Sequence, residues 1–254
     1  MGKFITKFET MAAYEAAEAT LVEPNVSLIK ESMSVNYKPY VPTPTHDFVE
    51  IGGVKWATMN VGATGVTDYG LYFQWGDTQG YTASQVGSGS GQKYFGWADY
   101  KYTNDGGSTF TKYNKTDGKT VLDASDDAVV ANWGGAWRMP TNAEFAELGN
   151  AVDYIDASGN VITVNNKLTT LSGVTGLYVA DKTDHSKRLF FPAAGNCYNG
   201  SVYSVGSYGI YWASSLYSSG VQRGRDMSFD SDGVNWQYLK HYRYYGFAVR
   251  GVAS

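Results

Sequence analysis

The sequence predicts an α+β domain of mixed, mostly antiparallel strands, with two helices or so and long loops. Three observations carry this. Short apolar segments alternate with turn residues, above all from Asp153 to the C-terminus. One strong helix start stands at Pro140-Thr141-Asn142-Ala143-Glu144. Aromatic residues reach 15% and glycines number 30, while charged residues stay at 17%, so rings can build a core and turns are plentiful.

Residues 1–45 differ from the rest. Pro24, Pro39, Pro42 and Pro44 lie here, four of the chain's six prolines. Phe8 to Leu21 has helix potential, and Asn25–Ile29 and Ser34–Tyr37 suit a short strand pair. Pro42-Thr43-Pro44-Thr45 reads as a stiff, extended connector. Residues 1–45 are therefore taken as an arm or attachment segment, and 46–254 as the main domain.

The main domain opens on a hairpin. Phe48, Val49 and Ile51 lead into Gly52-Gly53, which tolerates positive φ at both turn positions, and Val54 and Trp56 follow. Gly70 to Trp75 reads as an apolar strand. Thr82 to Gly118 reads as surface loops, the glycine-rich run Gly87 to Gly91 included, since no lysine-serine P-loop ending follows it. Asp126 to Trp133 suits one short helix. In the next helix, Thr141 and Glu144 have capping-box spacing. Phe145 and Leu148 should face the core, and Gly149 or Asn150 should end the helix.

Composition excludes several classes. A net charge of −4 and a pI near 5.4 argue against a nucleic-acid partner. Cys197 is the only cysteine, so neither an intrachain disulfide nor a cysteine metal cage is expected. No stretch nears the roughly 18 apolar residues of a membrane span, and the N-terminus lacks a secretory h-region. Membrane insertion and export by the ordinary route are not expected.

The last quarter is the most informative part. Tyr198 to Tyr245 holds nine of the 21 tyrosines, among serine, glycine, asparagine and aspartate. This is the composition of antibody combining sites, where tyrosine gives rigid amphipathic contact and small polar residues give adaptable hydrogen bonds. Apolar framework surrounds it at Leu189–Gly195, Tyr211-Trp212 and Gly246–Arg250. The pattern reads as a scaffold displaying a binding surface. Tyr244-Tyr245 and the cluster Tyr238–Tyr242 should put rings on both faces of a strand, half of them toward solvent.

Trp133-Gly134-Gly135-Ala136-Trp137-Arg138-Met139-Pro140-Thr141, with Glu144-Phe145 and Leu148, resembles the Fibrobacter succinogenes major paralogous domain family. The match continues at Leu189–Gly195, Gly209–Ser214 and Gly246–Arg250, and spans roughly 47–254. The resemblance implies the C-type lectin fold, shared with formylglycine-generating enzymes and with variable proteins of diversity-generating retroelements. The 1–45 segment, with Pro24–Ile29, is similar to the leader of gut-bacteriophage structural proteins. Adenine-directed rewriting of asparagine codons would yield the residues at Tyr203, Ser207, Tyr208, Tyr217, Ser218, Ser219, Arg223, Gly224, Tyr238, Leu239, His241, Tyr242, Tyr244 and Tyr245, but not Gln237 or Lys240.

The resemblance thus implies a non-enzymatic receptor-binding or adhesion module, with a bacterial surface protein or glycan as partner. Its location would be a virion, or alternatively a bacterial cell surface. Trimerisation, or virion attachment through the arm, goes with this. The ligand-binding residues expected are Tyr203, Tyr208, Tyr217, Ser218, Ser219, Arg223, Arg225, Tyr238, His241, Tyr242, Tyr244 and Tyr245. Rival readings are a fixed-sequence adhesin and an enzyme of the formylglycine-generating type, although the latter depends on reactive cysteines and only Cys197 is present. Cys197 itself reads as a small buried thiol.

No cofactor or metal is expected. Asp123, Asp126 and Asp127 lack EF-hand spacing and read as helix-capping residues. His46, His185 and His241 are scattered, with no partner nominated for acid–base work. Arg223 and Arg225, each taken alone, read as solvated charges. Arg250 should be structural, satisfying carbonyls or an acid at the core edge. Trp137, Phe191, Trp212, Phe229 and Phe247 should be buried. Tyr217, Arg223, Tyr238, His241, Tyr242, Tyr244 and Tyr245 should be largely exposed on one surface.

Overall fold

The computed structural model of the chain describes residues 46–253, except for the side chain of Tyr238. The arm of 1–45, its helix, its strand pair and its proline connector lie outside the described residues.

Strands β1 (Phe48–Ile51) and β2 (Val54–Asn60) form the expected hairpin. Gly52 and Gly53 take φ of 61° and 76°, the left-handed pair a two-residue turn needs. The segment Gly70–Trp75 is not a strand. Only Tyr72 and Phe73 pair, with Tyr81 and Phe247 respectively. Tyr72, Phe73 and Trp75 are all buried, so this apolar run is a core-crossing segment whose backbone partners come from different parts of the chain. Residues 82–118 are loops, as expected, with short 3-10 turns at Ala83–Gln85 and Trp97–Asp99, but they are not only surface: Phe95, Tyr100 and Tyr113 are buried in the core.

A further 3-10 turn, Ala124–Asp126, precedes helix α1 (Ala128–Trp133). Asp127 caps α1, its carboxylate accepting the Val129 and Val130 amides at 2.8 and 3.1 Å. Strand β3 (Trp137–Arg138) leads to α2 (Asn142–Ala151). The capping box is present: the Glu144 amide donates to Thr141 Oγ1 at 3.2 Å, and the Thr141 amide to Glu144 Oε2 at 2.7 Å. Phe145 and Leu148 are buried. The helix runs past Gly149 because that glycine serves packing: a Cβ there would lie 2.4 Å from the Trp236 ring.

Next come β4 (Val152–Tyr154), β5 (Leu168–Leu171), β6 (Val174–Asp181) and β7 (Arg188–Pro192). β4 and β5 pair with successive halves of β6, and β7 pairs along β6 as well. β8 (Asn196–Tyr198) and β9 (Ser201–Tyr203) make a hairpin. β10 (Gly209–Leu216), β11 (Arg223–Asp230) and β12 (Gly233–Tyr242) make a three-stranded meander. β13 (Arg250–Ala253) lies between β2 and β3, which gives the order β1-β2-β13-β3. Every pairing between these strands is antiparallel. The architecture is α+β: mostly antiparallel strands in several sheets, with two helices.

Trp137, Phe191, Trp212, Phe229 and Phe247 are all buried, as is Cys197. Arg250, fully buried, spends its donors on neutral acceptors: Nε on Asn60 Oδ1 at 2.9 Å, Nη1 on the Ala57 carbonyl and Nη2 on the Phe190 carbonyl, both at 2.8 Å. Its role is structural, as its framework position suggests. One guanidinium ties β2 to β7 from the end of β13.

Candidate ligand-binding face

Residues of a strand alternate between its faces, and directly opposed residues share a face. In the β11–β12 pair, Arg223 opposes Tyr242, Gly224 opposes His241, and Arg225 opposes Lys240. The Gly224 face is the inner one, since a Cβ on Gly224 would meet the Trp75 indole at 2.5 Å. The outer face therefore carries Arg223, Arg225, Lys240 and Tyr242. Each cation there rests on a tyrosine ring. Arg223 lies 4.8 Å from the centroid of Tyr242, while Arg225 and Lys240 lie 4.7 and 5.1 Å from that of Tyr217. Such contacts are worth about 0.5–1 kcal/mol each at exposed sites.

From Tyr242 a run of stacked rings continues through the turn after β12. Tyr242 and Tyr244 stack at 5.7 Å and 11°, and Tyr244 and Tyr245 at 4.8 Å and 19°. Tyr245 then meets Tyr198 at 5.0 Å, and Tyr198 stacks on Tyr203 at 4.4 Å. Trp97 braces the run edge-on against Tyr242 and Tyr244. Tyr244 and Tyr245 lie in a turn and not in a strand; consecutive rings there stack instead of pointing to opposite faces.

The turn stands on fixed backbone. The Arg243 carbonyl accepts the Trp75 amide at 2.9 Å, and the Arg243 amide donates to the Gln222 carbonyl at 3.1 Å. Gly246 exchanges two 2.8 Å bonds with Cys197, Phe247 exchanges two bonds with Phe73, and the Ala248 carbonyl accepts from Trp212. Gly246 is glycine because a Cβ would strike the Phe95 ring at 2.4 Å.

The structure corrects several expectations for the site. Tyr217, Arg223, Arg225, Tyr242, Tyr244 and Tyr245 do gather, but they are half-buried, because the rings cover one another and the cations. His241 does not join the outer face. It turns inward, its Nδ1 3.0 Å from the carboxylate of buried Asp226. Any side chain at Gly224 would meet the clash with Trp75 already given. Ser218 and Ser219 are exposed in the β10–β11 loop beside Tyr217, and Tyr203 is exposed at the far end of the ring run. Tyr208 sits apart, lining a shallow cavity of about 280 Å³ with Ser228, Asp230 and Leu239. Only the backbone of Tyr238 is described, as part of β12.

Three residues of the site escaped sequence reasoning. Trp97 lies in a glycine- and serine-rich loop without periodicity. Tyr198 belongs to the tyrosine-rich region but was not distinguished within it. Arg243, one of several cations in the C-terminal region, is fully buried. Its Nη1 donates to the Lys112 carbonyl at 3.2 Å and its Nη2 to the Tyr113 carbonyl. Its guanidinium lies over the Phe110 and Trp75 rings at 4.4 and 5.0 Å. Burial lowers its pKa, with nearby Tyr100 acting the other way.

Burial, then the neighbouring Tyr245, pushes the Tyr244 hydroxyl well above the usual phenol range. Burial also pushes the Cys197 thiol up, so it is not a poised nucleophile. Of the three aspartates read as caps, only Asp127 caps through its side chain. Asp126 instead binds Lys101, Lys112 and the Tyr113 hydroxyl, and Asp123 binds Lys112 and Lys119. Among the described residues no three His, Cys, Asp or Glu side chains gather as metal ligands would, and no helix is long and apolar enough to cross a membrane. His46 stacks on Trp133 at 4.1 Å, and His185 Nε2 pairs with Asp153 at 3.0 Å.

Fold and face together define an α+β domain that presents tyrosines and tyrosine-borne cations on a pinned backbone. Residues 161–252 are similar to a family described as a Domain of unknown function (DUF8237), and that span holds the tyrosine run and both strands of the cationic face. No curated protein and no solved structure gives a significant match.

Proposed function

We propose that this protein is a non-enzymatic ligand-binding module of the C-type lectin fold, whose tyrosine-rich face attaches it to a bacterial surface protein or glycan. The observation that carries the reading is the run Tyr242, Tyr244, Tyr245, Tyr198 and Tyr203, joined at Tyr242 to the cationic outer face of β11 and β12. Aromatic rings and arginines are the side chains that dominate interface energetics. Holding them in place beforehand lowers the entropy lost on binding. The fold assignment is supported by the way β13 joins β1 and β2 in one sheet, with long loops and a separate meander between them. Diversification by a retroelement, assembly as a trimer and a place on a virion belong to the same proposal.

The test is binding of the labelled full chain to a panel of intact bacteria. Wild type should bind at least one strain, and the Tyr244→Ala/Tyr245→Ala variant should bind it at least tenfold more weakly while still melting cooperatively. A folded variant that binds as wild type does, or a wild type that binds no strain, refutes the reading. A downstream near-copy of the gene's 3′ end, differing at template adenines beside a reverse transcriptase, separates the diversified module from an adhesin of fixed sequence.

A further inference from the structure

The outer face of β11 and β12 sets like charges against each other. Arg225 and Lys240 stand directly opposite in the register, an arrangement that destabilises a strand pair, and both lie over the one ring of Tyr217. Arg223, two residues along the same face, has a buried Nε without a hydrogen-bond partner. None of the three makes an ion pair among the described residues. Asp226, their neighbour in sequence, is turned to the other face and engaged with His241. Elsewhere the fold does neutralise its clustered cations, as Asp123 and Asp126 do for Lys101, Lys112 and Lys119.

Building on the reading of this surface as a ligand-binding one, we propose that it takes an acidic glycan, a polyhydroxylated chain whose carboxylate or sulfate sits between Arg225 and Lys240. A bound anion turns the opposed pair from repulsive to attractive, with Arg223 available to the next charged unit. Tyr242, Tyr244 and Tyr245 continue the track with phenol groups, which donate to and accept from sugar hydroxyls.

The experiment titrates the full chain calorimetrically with four polymers: polygalacturonate, dextran sulfate, unmodified dextran and poly-L-glutamate. Arg225→Gln/Lys240→Gln is compared with wild type and with Lys187→Gln, a charge change on the exposed β6–β7 connection. Wild type and Lys187→Gln should bind at least one acidic polysaccharide and not dextran, more weakly as salt rises. Which of the two binds tells carboxylate from sulfate. The double variant should lose at least tenfold in affinity. Without any polymer, Lys240→Gln should melt at or slightly above wild type, since it relieves the opposed charges. A drop of several degrees in Lys240→Gln, or unchanged binding by the double variant, overturns the proposal. Poly-L-glutamate bound as tightly as either polysaccharide overturns it too, in favour of an acidic protein partner. If every polymer is ignored while intact cells are still bound through Tyr244 and Tyr245, the acidic-glycan proposal falls and the ligand-binding reading stands.

Discussion

His241 and Asp226 form a pair, Nδ1 to Oδ2 at 3.0 Å, on the inner face of the two strands whose outer face carries Arg225 and Lys240. The sheet thus separates a buried acid from the half-buried cations beside it in sequence. Asp226 is fully buried, and its Oδ1 has no hydrogen-bond partner. Burial raises its pKa, and the His241 hydrogen bond and the Arg225 charge only partly oppose this.

A raised carboxyl pKa in the folded state means that folding favours the protonated form. The contribution to stability is complete below the unfolded value and is lost as pH rises through the folded one. Asp226→Asn keeps a polar partner for His241 and removes this titration. The melting temperature of the variant relative to wild type should therefore increase from pH 4 toward neutrality. A difference that stays flat, or shrinks, shows that Asp226 is at ease as a carboxylate.

Asp126 behaves in the opposite sense. Burial alone would raise its pKa, but Lys112, Tyr102 and Tyr113 hydrogen bonds and the Lys101 charge hold it at about 2. Stability from this group is present above the usual carboxylate range and is lost as pH falls toward 2. Asp126→Asn should cost roughly 2 kcal/mol at pH 7, taking about 1.4 kcal/mol per pKa unit, and the deficit should narrow below pH 4. Denaturant melts of both proteins at pH 7 and pH 3 measure it.

The stacked tyrosines should contribute to stability as well as to binding. Half-buried rings in mutual contact are coupled, so Tyr244→Ala should cost about 1 kcal/mol, above the usual effect of a surface change. A double-mutant cycle with Tyr245→Ala should show coupling of about 0.5–1.5 kcal/mol. Strictly additive values would mean that the rings do not stack in solution.

Gly224 and the loop serines make opposite predictions about tolerance. Gly224→Ala drives a methyl into Trp75 and should cost about 1–3 kcal/mol by overpacking. Ser218→Ala and Ser219→Ala, exposed in the β10–β11 loop, should stay within about 0.5 kcal/mol of wild type. Thermal melts of the three variants decide between a varied and an immutable position 224.

Much of the fold was legible locally. Gly52-Gly53 and the Thr141–Glu144 box are short-range devices whose chemistry is written in adjacent residues, and both form as expected. Arg250, Phe191, Trp212 and Phe247 were legible because framework residues of one character surround them. What could not be read is set by contacts between distant residues. Alternation alone does not say which face of β11 and β12 is outer; Trp75 decides that by packing against Gly224. The same long-range packing hides Arg243 under Phe110, turns His241 inward and brings Trp97 to the tyrosines. The site was therefore recognisable by composition, while its outline depended on the tertiary fold.

The place of β13 has a consequence for how the molecule is made. Arg250–Ala253 fills the gap between β2 and β3, pairing Val252 with both Trp56 and Arg138. On the ribosome, residues 46 to 249 emerge before that gap can be closed, so the nascent domain waits with two strand edges unpaired. Pairing across such sequence distances is slow, and open edges in the waiting chain invite association with other chains. A chain cut just before Arg250 would keep the tyrosine face intact in sequence yet could not close its first sheet.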